Sequence, residues 1–219
     1  MPKLVDHDVR RREITTAVRN VMARGGLEAA TFQSVAAEAG ISVRLVQYYF
    51  GTKREFLLAT HRAVLEDAAN RFGQRLAALG ADADPRDALR IILTELIPLD
   101  EPRRQDTIVL DAFFAAALTS GDSFAMTDAI GGFRPLVDVI AHYLRQFRRI
   151  APTTPAPPID LDAHLIAFTL VGLTQSALDP TTATSAPALL ERLFDRMLGP
   201  APEDPAPRTD ERVRWGLDV

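Results

Sequence analysis

Cysteine is absent from the 219 residues. That excludes disulfides, thiolate metal sites and a cysteine nucleophile, and it points to a reduced, cytoplasmic compartment. Runs of β-branched residues are few, while Leu, Ala and Arg dominate, so the expected fold class is all-α. The N-terminal stretch MPKLVDHDVRRRE is charged and has no apolar run behind it, so a secretory leader is not expected. The longest nearly uncharged apolar run, Leu165 to Leu178, is interrupted by Thr169, Thr174, Gln175 and Ser176. It is too short and too polar to span a bilayer, so no membrane partner is expected. His7, His61, His142 and His164 have no neighbours at metal-ligand spacing and read as ordinary core or surface histidines, so no metal is expected. With no nucleophile–base pair and no glycine-rich phosphate loop, the chain reads as neither an enzyme nor a cofactor carrier.

Charge of one sign is scarce in the first part and in excess later. Residues 1–60 carry nine Lys/Arg and six Asp/Glu, a balance of +3; the remainder carries sixteen and twenty-three, a balance of −7, giving the overall −4. A basic end on an acidic body suits contact with a polyanion through that end.

What is present is helical periodicity. Asp8 to Arg24 places Ile14, Val18, Val21 and Met22 at helical spacing before Gly25-Gly26 ends the pattern. Thr31 caps a short helix over 32–39, Gly40 supplies a turn, and Ser42 caps the next helix, to about Phe50. After Gly51-Thr52 a long helix starts at Lys53 and runs to Leu79. Helices follow at 85–96, 102–118, 123–150 with a bend at Gly131-Gly132, 160–178 stopped by Asp179-Pro180, and 185–198, making about nine in all. Residues 151–158 form a Pro/Thr/Ala linker, and 200–219 read as a proline-rich loose tail. Met1 to Arg12 reads either as an arm adding phosphate contacts or as a frayed terminus.

The two short helices and their tight turn have helix-turn-helix spacing. Steps of three and four put Leu45, Val46, Tyr49 and Phe50 on one face of the second helix and Val43, Arg44, Gln47 and Tyr48 on the other. Arginine matches guanine O6/N7, glutamine matches adenine N6/N7, and an aromatic ring can meet a thymine methyl. Thr31, Ser42, the Tyr49 hydroxyl and Lys53 lie at helix ends or edges, where phosphates are held. The candidate DNA-binding set is therefore Thr31, Ser42, Val43, Arg44, Gln47, Tyr48, Tyr49 and Lys53.

The stretch TFQSVAAEAGISVRLVQYYFGTKREFL, with RREITTAVRNVMARGGLEAA before it, resembles the DNA-binding domain of TetR-family repressors. Thr31, Ala39, Gly40, Ile41, Ser42, Tyr49, Phe50 and Lys53 match the family pattern. Arg44, Val46 and Gln47 depart from its usual Gly, Leu and Tyr. The later stretches IPLDEPRRQDTIVLDAFFAAALTSGDSF and AFTLVGLTQSALDP resemble the regulatory domain of the subgroup typified by the betaine-synthesis regulator BetI.

The resemblance implies a three-helix DNA-binding domain over 1–55, a ligand-binding and dimerisation domain over 56–199 and the tail beyond. It further implies a homodimeric repressor of double-stranded operator DNA, released by a small apolar or cationic effector. The expected pocket lining is Ile92, Glu95, Val109, Asp111, Phe113, Phe114, Phe168 and Gln175, mostly apolar with a few polar groups. The expected dimer face is Leu165, Leu173, Leu190, Leu193, Phe194 and Met197, in a four-helix bundle of two subunits. The competing reading is a small-molecule-binding or adaptor protein with a vestigial helix-turn-helix.

Overall fold

Local signals set the first three helices. In the computed structural model, which describes residues 3–80, 83–120, 133–150 and 158–199, α1 spans Lys3–Ala29, α2 Phe32–Ala39 and α3 Val43–Tyr49. Within α1 the helical run is kinked at Gly26, whose φ of 71° lies in the left-handed region. Thr31 accepts a hydrogen bond from the Ser34 amide, and the Ser34 hydroxyl accepts one from the Thr31 amide, a reciprocal capping box. Gly40, at φ 65° and ψ 30°, closes α2 in the left-handed conformation and turns the chain toward α3. Ser42 caps α3 by accepting from the Leu45 amide.

The rest is also helical among the described residues: α4 Lys53–Leu79, α5 Pro85–Leu96, α6 Glu101–Ser120, α7 Phe133–Ile150, α8 Ile159–Ser176, α9 Pro180–Ala183 and α10 Ala186–Leu198. The short α9 was not expected. Its Asp179 accepts from the Thr181 amide and Pro180 occupies the first turn, so the residues read as a stop also start a new helix. The expected bend at Gly131-Gly132, most of the 151–158 linker and the 200–219 tail lie outside the described residues.

Two cores organise these helices. Ile14, Val18 and Met22 of α1, Val35 and Ala36 of α2, Val46 of α3 and Phe50 pack with Phe56, Leu57 and Val64 of α4 and Val109 of α6. The head core thus extends into the long helix and borrows a residue from α6. The body core joins Leu89, Ile92 and Leu93 of α5, Ile140 and Leu144 of α7, Ile166, Leu170 and Leu173 of α8, and Leu190 and Phe194 of α10.

Between the cores lies a charged junction. Arg19 of α1 pairs with Asp67 of α4 at 2.6 Å and with Asp106 of α6 at 3.3 Å. Arg71 of α4 bridges Asp106 at 3.2 Å and Glu95 of α5 at 2.6 Å, and Arg75 adds a second contact to Glu95 at 3.1 Å. Burial pushes the Asp106 carboxyl above its usual range, opposed by the guanidinium groups of Arg19 and Arg71.

Candidate nucleic-acid interface

Seven residues make α3 two turns long, too short to hold a fixed direction alone. Its inner face supplies the anchor: Val46 and Phe50 are buried, and Leu45 and Tyr49 are half-buried. The opposite face is open. Arg44 and Gln47 are exposed, Tyr48 is 75% exposed, and Val43 is half-buried at its edge. Arg44, Gln47 and Tyr48 therefore form one free polar-aromatic surface on a helix fixed from behind. Tyr48 and Tyr49 meet edge to face at 5.3 Å, so the outer ring leans on the inner one.

The expected phosphate-side groups already have partners. The hydroxyls of Thr31 and Ser42 cap their helices and remain exposed at the two helix starts. Lys53 opens α4 beside its capping residue Thr52 and reaches Glu28 at 3.3 Å, and the Glu28 carboxylate is almost wholly exposed. Such a surface pair is worth little and exchanges readily for a phosphate.

Sequence reasoning missed Arg11 and His7 of α1. Arg11 donates a 2.7 Å hydrogen bond to the Tyr49 carbonyl, and the His7 ring lies 4.7 Å from the Tyr49 ring. The first turns of α1 therefore touch the end of α3, thirty-eight residues away for Arg11.

The residues expected to line an effector pocket do not converge as one set. Ile92 lies in the body core and Val109 in the head core. Glu95 is buried beneath Arg71 and Arg75, so its charge is matched within the protein and is not an open anion for a ligand. Phe168 and Phe114 face outward, at 62% and 49% exposure. Three of the set keep relevant surroundings. Gln175 hydrogen-bonds the half-buried Asp111 carboxyl, which burial nonetheless pushes above its usual range. Phe113 packs edge to face on the buried His61 of α4 at 5.0 Å. An open cleft of about 430 Å³ lies elsewhere, between α1 and α6, lined by Asn20, Arg24, Glu101, Arg104 and Ile108 among others.

The expected dimer residues divide in the same way. Leu173, Leu190 and Phe194 are buried inside the protomer's own core, and Leu193 and Met197 pack partly against it. Of that set only Leu165 is exposed. The outward stripe of α8 is instead Leu161, Leu165 and Phe168, 54–67% exposed, with Val171 beside it and Leu189 exposed on α10. Its continuation, Gly172, has open space where a Cβ would stand.

Residues 14–60, which span this helix-turn-helix and its frame, match the family described as "Bacterial regulatory proteins, tetR family". The chain is 33% identical to the HTH-type transcriptional regulator PksA of Bacillus subtilis, over 63% of this chain and 66% of that protein. It is 27% identical to the HTH-type transcriptional regulator BetI of Agrobacterium fabrum, over 93% of this chain and 95% of that protein. The chain belongs to the TetR family. It is a helix-turn-helix, DNA-binding transcriptional regulator, as its relatives are, and not an enzyme. The BetI likeness extends through the body of this TetR-family chain, in agreement with the resemblance of its later stretches. A transcriptional regulator from a Rhodococcus species has the same fold, with a TM-score of 0.70 and 26% identity over 86% of this chain and 94% of that one. No helix among the described residues is long and apolar enough to cross a membrane.

Proposed function

We propose that this TetR-family chain is a cytoplasmic, homodimeric repressor that leaves its operator when a small molecule binds the helical body. The observation that carries the reading is the free Arg44–Gln47–Tyr48 surface on a helix whose opposite face is anchored in the core. Side chains that can bond base edges are useful in a major groove only when the helix beneath them is fixed. In this reading residues 1–55 form the DNA-binding head, with Thr31, Ser42, Val43, Tyr49 and Lys53 holding the backbone. Residues 56–199 form the regulatory and dimerisation body.

Homodimerisation is supported by the exposed apolar stripe of α8, which the protomer does not cover. A second copy related by a two-fold axis would bury the same stripe against itself, and Gly172 would let the two helices approach closely. The head then becomes a pair, and the distance between two α3 helices decides whether both reach successive major grooves, about 34–36 Å apart or a multiple. A ligand that prefers another spacing lowers operator affinity by its differential binding to the two states.

Arg44→Ala and Gln47→Ala should each cost roughly 1–3 kcal/mol on the operator and little on random DNA. Lys53→Ala should lower binding to both and reduce the salt slope by about one. Fluorescence anisotropy across a salt series separates the two patterns. Equal losses on both DNAs for Arg44→Ala and Gln47→Ala would remove the base-reading assignment.

For the effector, the half-buried Asp111 carboxyl with its Gln175 partner suits a cationic group, and the Phe113 ring packed on His61 offers apolar surface on the same helix, so a small apolar or cationic molecule is favoured. A cation needs Asp111 ionised, and burial raises its pKa. Cation binding should therefore weaken as pH falls through that raised value, sooner than for an ordinary aspartate. Calorimetry with a cationic aromatic dye checks this, and Asp111→Asn should abolish both the binding and its pH dependence.

A further inference from the structure

Arg11 makes two contacts with the end of α3. Its guanidinium donates to the Tyr49 carbonyl at 2.7 Å, and its central carbon lies 4.2 Å from the centre of the Phe50 ring. The Tyr49 carbonyl is one of the last four of its helix, which have no partner inside it. A cation placed there also meets the negative end of the helix dipole. One turn earlier on α1, His7 lies against the Tyr49 ring, which also meets Tyr48 edge to face. Backbone and ring of Tyr49 are therefore held from α1 on one side, while Phe50 is buried beneath the same guanidinium.

We infer that Arg11 is a positioning residue for base readout: it brackets the last turn of α3 and sets the angle at which Arg44, Gln47 and Tyr48 meet the groove. The inference rests on the DNA-reading role proposed for α3, and it assigns Arg11 a task other than phosphate binding. The guanidinium is planar, so it can donate to a carbonyl at its edge while its face lies on a ring. A lysine ammonium cannot do both, although it can neutralise a phosphate as well as arginine does. The two roles thus predict opposite behaviour for the conservative variant.

The test uses the full chain and the tightest duplex that the wild-type protein selects from a random-sequence library, with a scrambled duplex as control. Arg11→Lys and Arg11→Ala are compared by anisotropy across a salt series, and folding is checked by thermal melting. Positioning predicts that Arg11→Lys lowers affinity for the selected duplex about tenfold, the size of one charge-assisted hydrogen bond. Affinity for the scrambled duplex and the slope of log K against log salt should stay at wild-type values, with Arg11→Ala behaving alike. If Arg11→Lys binds both duplexes as wild type does, the bracket has no part in readout and the inference is overturned. Equal losses on both duplexes with a slope lower by about one for Arg11→Ala also overturn it, by making Arg11 a phosphate contact. A wild-type protein that enriches no sequence overturns this inference and the DNA-reading proposal together, whereas enrichment with a silent Arg11→Lys overturns this inference alone.

Discussion

Phe168→Asp should yield a folded monomer that has lost operator binding, whereas Phe194→Asp should fail to fold. The two phenylalanines sit on α8 and α10, both rich in apolar residues, yet they face opposite ways. Phe194 is fully buried with Leu190, Ile166 and Leu170 in the body core. Removing a buried phenylalanine costs ~3–5 kcal/mol, and an unpaired carboxylate in its place adds to that, so this variant loses most of the stability of an ordinary domain. Phe168 is 62% exposed, one turn beyond Leu165 on the open stripe. Aspartate there costs the isolated protomer little, but in a two-fold interface it places two charges face to face in an apolar contact. Light scattering should give the monomer mass for Phe168→Asp with a near wild-type melting temperature. A stable dimer in that variant would move the interface off α8.

The second large effect is expected at the charged junction. Glu95 is fully buried and neutralised by Arg71 and Arg75, and Arg71 also holds Asp106, which in turn pairs with Arg19 of the head. Glu95→Ala leaves Arg71 with Asp106 alone and takes from Arg75 the carboxylate it reaches. Breaking a buried pair from one side costs 3–5 kcal/mol, and the partial exposure of Arg71 and Arg75 places this case near ~3 kcal/mol. For a chain of this size that corresponds to a melting point lower by roughly 6–12 °C. Because Arg19, Asp67, Arg71 and Asp106 tie α1 to α4 and α6, operator binding should change along with stability. Scanning calorimetry measures the first effect. A melting temperature within a degree of wild type would show that the arginines are satisfied by water.

Where the signal was local, the sequence was legible. Thr31, Ser42 and Thr52 through their hydroxyls and Gly40 through its backbone act within four residues of themselves, and the helices they bound fall where these local signals imply. The face of α3 was legible for the same reason, because a single buried row, Val46 with Phe50, fixes the other side. The faces of α8 were not. Leu161, Leu165 and Phe168 are as apolar as Ile166, Leu170 and Leu173, so periodicity could not tell the protomer core from the open stripe. On α10, Leu190 and Phe194 read as interface for the same reason. Arg11 and Glu95 stayed hidden because their partners lie far along the chain. Arg11 reads as part of an arm until Tyr49 is seen beside it, and Glu95 reads as a free anion until Arg71 and Arg75 are seen around it. For α9, Asp179-Pro180 carries both the stop of α8 and the cap of a new helix, and nothing local to the pair separates the two.

A dimer that reads DNA through α3 is tested most directly by the DNA that the full chain selects. Incubated with a random duplex library and sequenced after recovery, it should enrich an inverted repeat. The half-sites should be centred about one helical turn or a multiple apart, as two α3 helices related by a two-fold axis require. Arg44→Ala and Gln47→Ala should relax individual positions within each half-site. Recovery of no shared sequence, or of a single unrepeated site that both variants select equally well, would contradict a dimer that reads DNA through α3.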